Sequence, residues 1–383
     1  MSQFNRGKIM VAKILEINRK HKHPFSGMEI RHFDYTEGEE IPLEILDKPN
    51  ISLCCLDPAK RQAIFVETPP EIDIYKSPFI RNTQFEYAQR LISISYEDLH
   101  KIADRIENPN KRLIIIHYVS RCGSTLLCNL LSRLDNFVSL AEMDIFTHIC
   151  DLRNIWKYPD EETIKILDSC TRICCKFPDY HYILKPRHTG ICIGDWLYRL
   201  FPDSKTIFMY RNGEDVVKSY IRICNSNNLT KKQIVEDDPN HFINMKTILK
   251  KYYCDGNQWD EEYFRSNLFI FMWLFAMESY LNLTQQGIPM FTFRYEELIK
   301  SPQTIITELF KYCQLPLSQI DSVLQAFEQD SQANSFYSQK NAKRQLLNAK
   351  NIEEIKQRID NILKKHPTIK TPDFIFPSTF GKK

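Results

Sequence analysis

Charge of one sign is what this sequence most lacks. Across 383 residues, 51 Lys and Arg stand against 48 Asp and Glu, a formal net charge of +3. That balance argues against a nucleic-acid scaffold and leaves local basic clusters as the electrostatic signal. Long hydrophobic runs are missing as well. The longest, Leu268 to Met277, falls well short of the about 20 residues that cross a bilayer and reads as a core helix. The stretch MSQFNRGKIMVAKILEINRK is interrupted by Lys13 and Glu16, which predicts neither a signal peptide nor an anchor. There is no C-x-x-C pair, no internal repeat and no long low-complexity tract. The 12 cysteines, adjacent pairs Cys54-Cys55 and Cys174-Cys175 included, therefore read as reduced, buried thiols of a cytoplasmic protein rather than a disulfide framework. No metal is expected either, although Cys170, Cys174, Cys175 and Cys192 lie near one another in the chain. Apolar residues at 43% suffice for a sizeable core, and the length suits one large α/β domain with additions, or two domains.

What is present concentrates in two segments. In LIIIHYVSRCGSTLLCNLL (113–131) an apolar run, Leu113 to Ile116, leads through a turn at Gly123 into an amphipathic helix. The first helical N–H groups lack intrahelical partners, the helix dipole adds partial positive charge, and Gly admits a close backbone approach. Arg121 adds a fixed cation, and Ser124 and Thr125 add hydroxyl donors. The loop is suited to a phosphate or a sulfate, although any strand–turn–helix with Gly and Ser would share its outline. It is not a Walker A loop. Ser124 follows Gly123 where that pattern needs Lys, and Tyr118 stands where it needs the first Gly. In KTIFMYRNGEDVVKSY (205–220) a strand passes through Asn212-Gly213 into a helix, with Arg211 at the strand end and Ser219 eight residues on. Ligands of open α/β sheets collect at the carboxyl ends of strands, so Arg211 and Ser219 are candidates to grip a second phosphate. The competing reading pairs Arg211 with Glu214 or Asp215.

With these motifs the chain resembles the sulfotransferases that use 3′-phosphoadenosine 5′-phosphosulfate (PAPS). Arg121-Cys122-Gly123-Ser124-Thr125 is similar to their 5′-phosphosulfate loop, (K/R)-x-G-(T/S)-T. Arg211, Asn212, Asp215 and Ser219 match their 3′-phosphate motif R-(D/N)-P-x-D-x-x-x-S, with Gly213 in place of its Pro. FTFRYEELIKSP (291–302) resembles their late strand and the turn that follows. The resemblance spans roughly residues 110 to 340. It implies that Arg121, Cys122, Gly123, Ser124, Thr125 and Leu126 hold the 5′-phosphosulfate and that Arg211 and Ser219 hold the 3′-phosphate. It also implies PAPS as donor, its desulfated form PAP as product, and no metal.

An acceptor hydroxyl must lose a proton, so a general base is expected within reach of it. Glu142, in FVSLAEMDIF, follows the second strand of the pattern and faces the same sheet edge as the loop. Some branches of the family carry a Glu at about this place. The cytosolic small-molecule branch uses a His in a K-x-H pattern absent at the matching place. His148, His181 and His188 are the rivals, and a solvated or capping carboxylate is the bland reading of Glu142. In KPRHTGI (185–191), Lys185 and Arg187 alternate and so can share one side of an extended segment. Lys185 is expected near the sulfuryl group or the acceptor, the alternative being a solvated surface charge. The expected catalytic set is Glu142, Arg121 and Lys185.

From about 110 onward strands and helices alternate: strand 113–118, helix 125–133, strand 137–140, strand 181–185, helix 193–200, strand 205–210, helix 214–223. This rhythm predicts an α/β fold, a central parallel sheet with helices on both faces of P-loop type, preceded by an N-terminal accessory region. We divide the chain into an accessory region 1–108, a catalytic domain 109–345 and a C-terminal helix and tail 346–383. In the accessory region ISLCCL (51–56) and AIFVE (64–68) predict a hairpin, and polar segments 83–92 and 96–107 predict helices. The segment 225–262 is a candidate lid or a plain surface excursion. A helix is expected at 318–329 and an amphipathic one at 351–366, with Ile352, Ile355, Ile359 and Ile362 on one face. Within 330–345 the family's late R-K-G pattern is absent, leaving Lys343 and Arg344 as possible substitutes.

The sequence thus points to PAPS-dependent sulfuryl transfer onto an acceptor hydroxyl of unknown identity: a small molecule, glycan, lipid or protein tyrosine. No nucleic-acid partner and no transmembrane segment are expected. Phe146, Trp156, Tyr158 and Phe177 are candidate pocket aromatics, with core packing as their ordinary use. Two other readings remain at this stage, a P-loop kinase-like enzyme using ATP and a catalytically silent nucleotide-binding interaction module.

Overall fold

Strand Leu113–Tyr118 shows why a parallel sheet forms. Ile114, Ile116 and Tyr118 join one hydrophobic core, whereas Leu113 and Ile115 join another on the opposite face. A strand with both faces covered carries a continuous apolar run instead of alternation. Each of its isoleucines is at most 5% exposed and contributes about 1.5–3 kcal/mol by leaving water. The computed structural model describes residues 11–21, 27–226, 230, 232, 261–328, 347 and 349–381.

Two five-stranded sheets are present among them. The first is antiparallel, in the order β2-β1-β5-β4-β3: β1 (Val11–Lys20), β2 (Phe33–Pro42), β3 (Ile51–Asp57), β4 (Gln62–Glu67) and β5 (Arg90–Ser95). The second is parallel, in the order β10-β9-β6-β8-β7: β6 (Leu113–Tyr118), β7 (Phe137–Ala141), β8 (His181–Lys185), β9 (Lys205–Tyr210) and β10 (Phe291–Arg294). From β6 the chain passes to the edge strand β7, returns to β8 between them, and then crosses to the other side of β6 for β9 and β10. The strand order therefore reverses between β6 and β9, and such a switch point opens a crevice at the carboxyl ends of the strands.

The described helices are α1 (Ile80–Glu86), α2 (Tyr96–Ala103), α3 (Ser124–Leu131), α4 (Asp144–Asn154), α5 (Asp160–Cys174), α6 (Gly194–Leu200), α7 (Gly213–Ser226), α8 (Glu261–Gln285), α9 (Tyr295–Lys300), α10 (Pro302–Cys313), α11 (Ile320–Leu324) and α12 (Ala349–Lys365). Helices α3, α7, α8 and α12 bury apolar side chains in the core on one face of the parallel sheet, and α4, α5 and α6 do so on the other. The predicted α/β fold is the one observed. Ala12, Leu53, Phe65, Ile92 and Leu99 of the antiparallel unit enter the same core as α4 and α5, so the N-terminal sheet packs against that helical layer.

The 51–56 and 64–68 hairpin forms as β3 and β4. Two expectations need correction. The segment 83–92 is not one helix: α1 ends at Glu86 and residues 90–95 form β5, because LISIS finds strand partners on both sides, β1 and β4. Residues 318–329 do not form one helix either. A 3-10 turn, the short α11 and a second 3-10 turn (Gln325–Glu328) succeed one another there. In α12, Ile355 and Ile359 are buried, as its periodicity predicts. Among the described residues no helix is long and apolar enough to cross a membrane.

Candidate active site

The loop after β6 is held by the neighbouring strand. Val119 N–H donates to the Met209 carbonyl at 2.9 Å, and the Cys122 thiol donates to the same oxygen at 3.3 Å. Cys122 is fully buried, and burial pushes its thiol up to about 12, so it serves as a small apolar anchor rather than a nucleophile. The turn needs left-handed backbone at Arg121 (φ 64) and Gly123 (φ 86). At Gly123 a Cβ would also lie 2.6 Å from Tyr295 Cδ2, so glycine is required twice over. Ser124 and Thr125 open α3 and are nearly buried, and Leu126 turns its side chain toward the core, leaving its backbone N–H at the helix start.

The two motifs meet across the switch point. Arg121 Nε donates to Ser219 Oγ at 3.1 Å, and Arg211 Nη1 donates to the Arg121 carbonyl at 3.2 Å. Arg211 also lies over the Tyr295 ring, 4.7 Å from its centroid, and its buried Nε has no hydrogen bond among the described residues. Asp215 is 3.6 Å from Arg211 Nη2, whereas Glu214 pairs with Lys218 at 2.5 Å. Gly213 explains its departure from the motif's Pro. Its N–H, which Pro lacks, donates to the Pro372 carbonyl at 2.8 Å, and a Cβ there would lie 2.9 Å from the Trp273 ring. The C-terminal segment thus braces this strand end. Asn212 Nδ2 donates to Asp373 at 3.1 Å, and Arg294 donates to the same carboxylate.

A second cluster sits at the ends of β7 and β8. Glu142, itself left-handed at φ 54, accepts from Lys185 Nζ at 2.7 Å and from the Tyr118 hydroxyl at 2.9 Å. Its own N–H donates to the Lys185 carbonyl at 2.8 Å. Lys185 is fully buried, which removes the reading of a solvated surface charge. Burial alone would push the Glu142 carboxyl up, but the charges of Lys185, Arg81 and Arg187 and the hydrogen bond from Lys185 hold it down at about 2. Arg187 does share this side: its Nη1 is 3.7 Å from Asp144 Oδ1.

Arg81 was not visible to sequence reasoning. It lies on α1 in the accessory region, and its Nη2 is 3.8 Å from Glu142 Oε2 while its Nη1 is 3.9 Å from Asp144 Oδ1. Tyr118 and Asp144 were likewise missed, though Asp144 stands only two residues past Glu142.

The rival histidines sit elsewhere or are occupied. His148 accepts at Nδ1 from Leu56 N–H (3.2 Å) and faces the Met28 carbonyl at Nε2 (3.0 Å), the pattern of a neutral bridging imidazole. His181 opens β8, at the strand end opposite the loop, and stacks on Phe137. His188 is buried in the 3-10 turn after Lys185. Of the pocket aromatics, Phe146 is core and Trp156 is exposed, and the Tyr158 hydroxyl donates to the Pro58 carbonyl. Phe177 lines a groove of about 1030 Å³ that also touches Thr125, Ala141, Tyr75 and Tyr180. Nearly all of 225–262, and 330–345 with Lys343 and Arg344, lie outside the described residues. Among the described residues no three His, Cys, Asp or Glu side chains converge as a metal would require.

Residues 197–366 match the family model of the sulfotransferase domain, and the resemblance read from the motifs is borne out. The match takes in the Arg211 motif and the late strand, and it begins after the Arg121 loop. No curated protein matches the chain by sequence. Among solved structures it is similar to the sulfotransferase domain of the curacin biosynthetic pathway, at 16% identity over 64% of this chain and 96% of that one, TM-score 0.37. It is also similar to sulfotransferase STF9 from Mycobacterium avium, at 14% identity over 70% and 80%, TM-score 0.42. A mouse sulfotransferase complexed with PAP is similar at 12% identity over 71% and 91%, TM-score 0.37.

Proposed function

We propose that this chain, which carries a sulfotransferase domain match, transfers the sulfuryl group of PAPS to an acceptor hydroxyl, with Glu142 as general base. The observation that carries the proposal is the convergence of Arg121, Ser219 and Arg211 through hydrogen bonds of 3.1 and 3.2 Å at the switch point, beside a buried Lys185–Glu142 pair at 2.7 Å. The fit to a doubly phosphorylated nucleotide rests on two features of the site. The loop turns through left-handed backbone at Gly123 into the start of α3, whose first N–H groups lack intrahelical partners, and the buried Arg211 Nε has no hydrogen-bond partner among the described residues.

When bound, PAPS supplies the sulfuryl group, whose S–O bond to the 5′-phosphate breaks as a bond to the acceptor oxygen forms. Arg121, Ser124, Thr125 and the loop N–H groups through Leu126 are assigned to the 5′ side, where they would stabilise the charge left on the departing oxygen. Arg211 and Ser219 are assigned to the 3′-phosphate. Glu142 takes the acceptor proton, and Lys185 serves the bridging oxygen. Lys185 holds Glu142 ionised and weakly basic in the ligand-free protein. Its movement away from Glu142 would raise the carboxylate's basicity when the proton must be taken. The scheme assigns no residue to a metal.

The groove that touches Thr125 and Ala141 is a fitting acceptor route, since Ala141 directly precedes Glu142 and Tyr75, Phe177 and Tyr180 offer aromatic walls. A cytoplasmic setting agrees with 11 cysteines that all stand as free thiols among the described residues. The test is transfer from sulfur-labelled PAPS to a panel of phenols, alcohols, glycans and tyrosine peptides. Labelled product with the wild type, and none with Glu142→Gln, is expected. Phosphoryl transfer from ATP with Mg²⁺, and no transfer from PAPS, would contradict the reading.

A further inference from the structure

The buried cluster around Glu142 contains more cation than it uses. Lys185, Arg81 and Arg187 face two carboxylates, Glu142 and Asp144. Arg81 is 2% exposed, and its Nε and Nη1 make no hydrogen bond among the described residues. A buried guanidinium with unmet donors is costly, and it is tolerated where its charge serves a neighbour. Its neighbours are the carboxylates at 3.8 and 3.9 Å. The accessory region reaches this cluster a second time: Met28 N–H donates to Asp144 Oδ2 at 2.6 Å. Charge and geometry both tie the N-terminal sheet unit to the catalytic centre.

We infer that Arg81 is a positioning residue of the reaction, contributed by the accessory region, that keeps Glu142 ionised and oriented when Lys185 is engaged elsewhere. The inference rests on the assignment of Glu142 as base. Lys185 has one ammonium group for two tasks, holding Glu142 and meeting the bridging oxygen. Once it turns to the second, burial drives the Glu142 carboxyl toward its neutral form, in which it accepts no proton. The groups facing Glu142 are then Tyr118 from β6, Asp144 from α4, Arg187 after β8 and Arg81 from α1. Tyr118 donates a hydrogen bond but no charge, Asp144 repels, and Arg187, whose charge acts on Glu142 less than that of Arg81, is paired with Asp144 at 3.7 Å. Arg81 is the cation placed on Glu142 Oε2, the oxygen that Lys185 and Tyr118 leave unused.

The test uses Arg81→Met and Arg81→Lys in the full chain, each with and without Glu142→Gln. Three quantities are read: PAP affinity, turnover, and the titration of Glu142 in the ligand-free protein from infrared difference spectra between each variant and its Glu142→Gln counterpart. Arg81→Met is expected to leave PAP affinity within about twofold and to lower turnover at least about tenfold. It should also raise the Glu142 midpoint by about one pH unit, the size of shift a lost charge neighbour produces. Arg81→Lys should return the midpoint most of the way. A midpoint unmoved by Arg81→Met overturns the inference. Should Arg81→Met not fold, Arg81→Gln replaces it under the same criterion. Retained turnover in Glu142→Gln alone would remove the base assignment, whereas an inactive Glu142→Gln with an unmoved midpoint would remove Arg81 alone.

Discussion

Arg121 and Ser219, 98 positions apart, share a 3.1 Å hydrogen bond from guanidinium Nε to hydroxyl Oγ. That bond joins the loop after β6 to the helix after β9, the two arms of the sheet's switch point. A ligand bridging both arms must engage or displace it. Ser219→Ala should therefore weaken PAP binding by about 1.5–3 kcal/mol, the range for a hydrogen bond to a charged partner. Calorimetry on the wild type and the variant measures it, and unchanged affinity would detach Ser219 from the nucleotide site.

Glu142 predicts a pH signature. Its carboxyl is held below the unfolded range, so its contribution to stability is present above the unfolded value near about 4.3. That contribution disappears as pH falls through about 2 in the folded state. Lys185→Met leaves the carboxylate buried without its closest partner, which should cost about 3–5 kcal/mol at neutral pH. The deficit should shrink in acid, where Glu142 can be neutral. Urea unfolding at neutral and acidic pH checks this, and a deficit independent of pH would argue against the pair.

Restoring the family's proline should harm this chain. Gly213→Pro removes the N–H given to the Pro372 carbonyl and adds atoms against Trp273. Gly213→Ala adds the clash alone, an overpacking of about 1–3 kcal/mol. Melting curves should rank wild type above Ala and Ala above Pro. A proline variant as stable as the wild type would show that the C-terminal segment does not brace this turn.

Cys122 lies inside the loop between β6 and α3 yet is buried, with its thiol pushed up to about 12. It should resist iodoacetamide at neutral pH in the native protein and react only on unfolding. Mass spectrometry of the labelled peptide decides, and rapid native modification would mean that the loop opens.

Much of this architecture was legible because β6, β8 and β9 are buried on both faces, and their apolar runs end close to the residues to which we assign the chemistry. The segment 90–95 was not, because pairing with β1 and β4 outweighs its local character. Arg81 was hidden for a deeper reason. It sits on a seven-residue helix without a motif, 61 positions before Glu142, and packing alone brings it there. Glu142 stood out by its place after a strand. Its left-handed backbone and its pairing with Lys185 emerge only when β7 and β8 are laid side by side.

The central claim is that the switch point binds a nucleotide with a 3′-phosphate. Calorimetric titration of PAP into the wild type and Arg211→Ala, with ATP and Mg²⁺ as competitor, tests it most directly. The account predicts PAP binding that ATP with Mg²⁺ does not displace and that collapses in Arg211→Ala. Binding of ATP with Mg²⁺ in the absence of PAP binding would contradict it.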